Sequence, residues 1–315
     1  MSSPSGLQHL QALVEEYRGC TLHVVYEACG FGYEIAWWLE EQAIDVMVIA
    51  PSRVERVPGS SVKTDRVDVR AMARKREQGQ MKGIYIPRRR EHERRQLSRT
   101  YMQVLKECKR ARVRIRSLLQ EQGRIGPLPK VGWASYEKWL ATQDLPAAVA
   151  MCVKELLTLR TAARASAARL QRQLLRLAAA PEYTPVVRAL IAQPGVATFT
   201  AIRLVVELGE ITRFPTADSI VNYLGLTPSQ YSSGDVDHRG HLLKCGPGYL
   251  RAWMLQCAWA SIRGTHADPG LQQCFARLHP RVGKKRAIVA VARRLALRLR
   301  ARWREAVELS APAAA

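Results

Sequence analysis

Acidic residues, long apolar runs and paired cysteines are all scarce in this chain. Asp and Glu total 27 against 49 Lys and Arg, leaving a net charge of +22 on 315 residues. So large an excess repels itself unless a polyanion neutralises it, and each cation seated on a phosphate releases a counterion. Nucleic-acid binding is the function class that fits, with a ribosomal-type or merely basic surface as the alternative. No apolar run reaches the roughly 20 residues a bilayer-spanning helix needs. No two of the seven cysteines stand in a Cys-x-x-Cys pair, and no secretory n-region and h-region opens the chain. The cysteines therefore read as small buried hydrophobes of a reducing compartment, and the expected location is cytoplasmic, without a membrane partner. Wholesale disorder is excluded by 47% hydrophobic residues.

What is present begins with alternating elements. "GLQHLQALVEEYR" (6–18) has helical apolar spacing, and "TLHVVYEA" (21–28) is a β-branched, aromatic strand that carries Glu27 at its end. A helix (32–42), a second strand (45–52), a helix (64–79) stopped by Gly79 and a third short strand, "GIYIP" (83–87), follow. This alternation predicts an α/β layer of parallel strands, with a ligand site beyond their carboxyl ends.

From residue 91 the pattern becomes heptad-like. Leu97, Tyr101, Val104, Cys108, Ala111, Ile115 and Leu118 form one seam. After a Gly- and Pro-containing stretch (123–146), Val149, Val153, Leu156, Ala163, Ala167, Leu170, Leu174 and Leu177 form a second. The two helices pair antiparallel within one chain or between chains. "APEYTP" (180–185) reads as a linker. "LIAQPGVATFTAIRLVVELGEITRF" then has the form of a helix-hairpin-helix whose Pro-Gly-Val turn offers N–H groups to a phosphate; Ala197 stands at the usual second glycine, and a packing helix–turn–helix explains it equally. The basic helix "KKRAIVAVARRLALRLRARW" (284–303) closes a C-terminal core with its apolar face. The expected divisions are 1–90, 91–180 and 181–315.

Two constellations carry chemistry. In "KTDRVD" (63–68), Asp65 and Asp68 fall one turn apart on a helix. They start that helix through its dipole, or hold a hard cation over a phosphate, or both. Glu27 in the same layer and the surrounding Lys63, Arg66 and Arg70 favour the metal. In "SQYSSGDVDHRGHLLKCG" (229–246), Ser232 and Ser233 precede a glycine, with Arg239, Lys244 and Arg251 near in sequence to meet developing phosphate charge. Alone, that stretch is also a plain loop.

In combination, the Lys-Thr-Asp-Arg-x-Asp block, the Tyr-x-Ser-Ser-Gly block and the tail resemble the DEDD-type transposases of bacterial insertion sequences, the bridge-RNA-guided recombinases. The resemblance covers nearly the whole chain in the family's order. It implies α/β plus all-α architecture: an RNase H-like (RuvC-like) domain, long coiled-coil helices and a helical C-terminal transposase domain. It further implies Glu27, Asp65 and Asp68 as metal ligands for Mg²⁺, and Ser233 as nucleophile with Ser232 as fallback. Donor and target DNA, a structured guide RNA, a homodimer or tetramer and a DNA-associated prokaryotic location follow from it as expectations. The family's first acid is an Asp on the first strand, and no Asp precedes Glu27 here. The RNase H-like sheet is accordingly expected to be incomplete at its N-terminal side, with an inactive nucleic-acid-binding remnant as the alternative function.

Overall fold

The computed structural model describes residues 3–30, 32–51, 65–126, 132–233, 236–243 and 245–310, with their side chains except those of 3–7, 65–68 and 230–239. The chain divides into two compact units, 1–92 and 93–315.

In the first unit, helix α1 (Ser3–Glu16) leads into strand β1 (His23–Glu27), helix α2 (Glu34–Glu41), strand β2 (Asp45–Ile49) and helix α3 (Asp65–Glu77). β1 and β2 are parallel and in register from His23–Asp45 to Glu27–Ile49. The parallel order follows from the α2 crossover between them. Ala36, Trp37 and Leu39 of α2 and Val48 and Ile49 of β2 make up most of a small core. The expected third strand at 83–87 is absent as a strand. Ile84 N–H donates to the Val48 carbonyl (2.7 Å) and joins the segment to β2. Pro87 has no N–H to continue the ladder, and its carbonyl accepts the Trp37 indole N–H instead (2.7 Å).

The second unit is built on two long helices, α4 (Arg89–Glu121, which begins in the first unit) and α6 (Ala147–Ala178), with the short α5 (Trp133–Leu140) between them. The helices pair antiparallel within the chain. Arg94 bonds Glu182 and Tyr183 just beyond α6, the Cys108 thiol meets the Arg160 carbonyl, and Ile115 and Leu119 share a core with Val153. The 180–185 segment is thus a tight connection held by Arg94, where a linker was expected. Arg160 occupies the seam position between Leu156 and Ala163. It is tolerated there because it pairs with Glu137 (2.8 Å) and lies over the Trp133 ring (4.4 Å).

The main core lies C-terminally, among α7 (Thr184–Ile191), α8 (Thr198–Leu208), α9 (Ala217–Tyr223), α10 (Gly248–Ser261) and α11 (Pro269–Ser310). Ala287, Ile288, Val291, Leu295, Leu299 and Trp303 turn the apolar face of the basic helix inward, as its spacing predicts. Among the described residues no helix is long and apolar enough to cross a membrane. α4 meets this core through charge: Arg99 pairs with the fully buried Glu207 (3.4 Å), beside Arg203, whose guanidinium stacks on Trp253 (3.6 Å). Burial pushes Arg203 down to about 10 and raises Glu207, against the pull of Arg99. The cysteines depart from expectation. Cys257 and Cys274 are buried, but Cys20, Cys29, Cys152 and Cys245 are exposed.

Candidate active site

Glu27 ends β1, half-buried, and the next N–H (Ala28) bonds the Ile49 carbonyl (2.8 Å), so the strand pairing persists right up to the carboxylate. Asp65 is the first residue of α3 and Asp68 lies one turn on, so the helix predicted from the sequence forms where both acids sit. α3 lies against β1, and its direction is readable from its other end. Arg76, in the last turn, pairs with Asp45 at the start of β2 and approaches the Met47 sulfur. The last turn of α3 therefore lies at the end of the sheet where β2 begins, and Asp65 and Asp68 lie at the other end of its 13 residues. Asp45 itself is tied to His23 (2.7 Å), and that bond, aided by Arg76, holds its carboxyl below the usual range.

Glu27, Asp65 and Asp68 are three hard oxygen donors, the set a divalent Mg²⁺ takes. Among the described residues no group of three or more His, Cys, Asp or Glu could hold a metal ion. Of the surrounding cations, Arg70 is exposed on α3, the Arg66 side chain is outside the described set, and Lys63 lies outside the described residues.

The serine stretch is neither helix nor loop. Strand β3 (Pro228–Ser233) pairs antiparallel with β4 (Val236–Leu242), placing Ser233 opposite Val236 beside the turn and Ser232 opposite Asp237. The C-terminal region is mostly helical, as expected, and the hairpin is a strand pair set within it, unforeseen from the sequence. The missed signal was the two-residue spacing: Gly234-Asp235 between two short runs is a hairpin turn sequence. The polar composition of both strands masked it.

Arg251, expected on nucleic acid, has structural partners. From α10 its guanidinium donates to the Gly225 carbonyl (3.2 Å) and the Leu243 carbonyl (3.1 Å), pinning the two ends of the hairpin together. Leu243 N–H closes the base on Thr227 O (2.8 Å). Gly246, at φ +67°, passes so close to the Tyr223 carbonyl oxygen that a Cβ would collide with it. Arg239 stands opposite Gln230 on β4 with its side chain undescribed, and Lys244 lies outside the described residues.

The Pro-Gly-Val turn packs on the core. Gly195 faces Ser261 and the Cys257 carbonyl with no room for a Cβ, and Ser261 donates to the Pro194 carbonyl (2.6 Å). This is the packing alternative of the two readings of that element.

Comparison with known proteins completes the picture. Residues 187–271 match the model described as Transposase IS116/IS110/IS902 family, and residues 1–123 match a DEDD transposase model of IS110 type. The putative transposase y4rJ of Sinorhizobium fredii is 31% identical over 304 residues, covering 88% of this chain and 75% of that protein. The putative transposase y4qE of the same organism is 26% identical over 273 residues, 84% of this chain, and this chain spans 61% of its length. A probable family 20 transposase of Pseudomonas aeruginosa is 29% identical over 249 residues, 76% of this chain and 71% of that one. With its acid-bearing α/β unit and its serine hairpin lying within these matches, the chain belongs to the IS110/IS116 family of transposases.

Proposed function

We propose that this protein cleaves and exchanges DNA strands for an insertion sequence, with a structured RNA selecting donor and target by base pairing. What supports the reading is the family match, together with Glu27 at the carboxyl end of β1 and Asp65 and Asp68 in the first turns of α3, the helix packed on β1. Glu27, Asp65 and Asp68 would hold Mg²⁺, whose chemistry is Lewis-acid polarisation of a phosphate and neutralisation of its charge. Ser233 Oγ attacks the scissile phosphorus. The Oγ–P bond forms, the P–O3′ bond breaks, the hydroxyl proton passes to the departing 3′ oxygen, and a 5′-phosphoserine remains. A 3′-hydroxyl from the second strand reverses these steps on the same phosphorus, completing exchange without net loss of phosphodiester energy. Arg251 acts by fixing the hairpin base, and the exposed basic faces grip backbones by charge and shape. A dimer or tetramer follows from the need to handle two duplexes.

The test is formation of a covalent protein–DNA adduct on denaturing gels with end-labelled DNA, the element's RNA and Mg²⁺. Ser233→Ala is expected to lose the adduct by several orders of magnitude, as removal of a nucleophile does. An adduct at wild-type level, lost instead in Ser232→Ala, moves the role to Ser232. Asp65→Asn and Asp68→Asn are expected to abolish cleavage while RNA binding persists. A second reading is binding without cleavage, which the net charge of +22 alone would support. Salt-sensitive RNA binding with no adduct at any Mg²⁺ concentration supports it.

A further inference from the structure

Away from the acids and the hairpin, the end of α10, the residues after it and α11 line an open cavity of about 480 Å³, among Trp259, Ile262, Arg263, Phe275, His279 and Lys284. That volume is in the range of small-ligand sites. Its walls combine two chemistries. Trp259 and Phe275 meet edge to face (5.5 Å), and Phe275 stacks on His279 at 12° (5.3 Å), so three rings cluster along one wall. Arg263 lies over Trp259 (4.3 Å), with the Lys284 ammonium on the same ring (5.5 Å).

No carboxylate lines this cavity. The nearby Asp268 is committed to Arg298, Gln193 and the Leu271 N–H. The cations are also placed against their intrinsic preference. Gly283, at φ +77°, breaks α11, and the helix resumes with Lys284, Lys285 and Arg286 in its first turn. That is the positive end of the helix dipole, where cations are disfavoured and an anion is welcome. Rings flanked by uncompensated cations match an unpaired nucleotide: the base finds a stacking face and the phosphates find charge. An acidic peptide would use the cations and leave the rings idle.

We propose that this cavity binds one unpaired nucleotide of a single-stranded nucleic acid, its base against Trp259, Phe275 and His279 and its phosphates on Arg263 and Lys284. Strand exchange and RNA guidance both expose unpaired nucleotides, so RNA and DNA are the two sources of the same chemistry.

The test measures fluorescence anisotropy of labelled oligouridylate, oligothymidylate and a blunt DNA duplex with the full chain, in chelator. Because no metal or cleavage enters, its failure leaves the strand-cleavage reading untouched. Trp259→Ala is expected to weaken single-strand binding by roughly 5- to 150-fold, the range of one base stacked on an aromatic ring, and to spare the duplex. The double variant Arg263→Ala/Lys284→Ala changes only exposed side chains and so keeps the fold. It is expected to lower the single-strand salt slope by about 1.4, for two lost phosphate contacts. An effect on oligouridylate alone assigns the site to RNA, on oligothymidylate alone to DNA, and on both to either strand. Unchanged single-strand binding in both variants overturns the proposal. So does an equal loss on the duplex, or displacement of the oligonucleotide by polyglutamate at matched charge, since cations alone would then account for binding.

Discussion

The two units solve the problem of holding chemistry in opposite ways. The first carries Glu27 at the end of a two-stranded sheet and Asp65 and Asp68 on helix α3, over a core of few residues, chiefly Ala36, Trp37, Leu39, Val48, Ile49 and Met72. The second presents its serines on a hairpin whose own strands contribute little apolar surface, yet the hairpin base is bound to the largest core of the molecule through Arg251, Gly225 and Gly246. Two strands alone are marginal in water. The acid-bearing scaffold therefore depends on α2 and α3 for its stability, while the serine scaffold takes its stability from helices it does not belong to.

The sharpest way to break this comparison is Gly246→Ala. It adds a collision with the Tyr223 carbonyl to a left-handed backbone, and should cost more than about 4 kcal/mol. Thermal denaturation should show loss of the cooperative transition of the second unit; an unchanged midpoint would show that the hairpin base is loosely held. Next, Leu39→Ala empties a fully buried position of the small core, a loss of about 3 kcal/mol. Hydrogen exchange should quicken across 23–49 and stay unchanged across 198–208; equal quickening in both would erase the distinction between the units.

Asp268→Asn should cost the second unit about 2 kcal/mol, because Asp268 accepts charge-assisted and backbone hydrogen bonds from Arg298, Gln193 and Leu271. Burial raises its pKa, but those three donors outweigh burial and leave it below the ordinary carboxylate value. The stabilisation is therefore complete above the unfolded value near 4 and disappears as pH falls through the lower folded value. Urea titrations at neutral and acid pH should show the wild-type advantage over the variant shrinking on acidification. The smallest effect belongs to Arg76→Ala, which removes an ion pair with the half-exposed Asp45 worth about 0.5 kcal/mol. A larger loss in urea unfolding would mean that this contact orients α3 more firmly than a surface pair normally can.

Much of this molecule was legible from local pattern. Strands β1 and β2, helix α3 with its two acids, both long helices and the inward face of the last helix all follow from apolar period. That signal survives wherever an element buries one face. It failed where burial is not the cause of structure. The 83–87 segment reads as a strand by composition, but it forms no strand, although Ile84 N–H reaches the Val48 carbonyl, and Pro87 has no N–H to extend a ladder. Strands β3 and β4 read as a loop because Ser, Gln, Asp, His and Arg fill them; turn spacing and a base pinned by Arg251 form them instead. Arg251 was expected on nucleic acid, yet its guanidinium donates to two backbone carbonyls, and Arg160, buried, lies between Trp133 and Glu137.

The sequence by itself determined the charge, the elements and the spacing of the acids within α3, because these depend on neighbours a few residues away. Only the tertiary structure decided that the long helices pair within one chain, that α3 packs on β1, and that Trp259, Phe275 and Lys284 line one cavity. Those outcomes depend on which faces meet across tens of residues, and buried surface rather than local propensity selects among them.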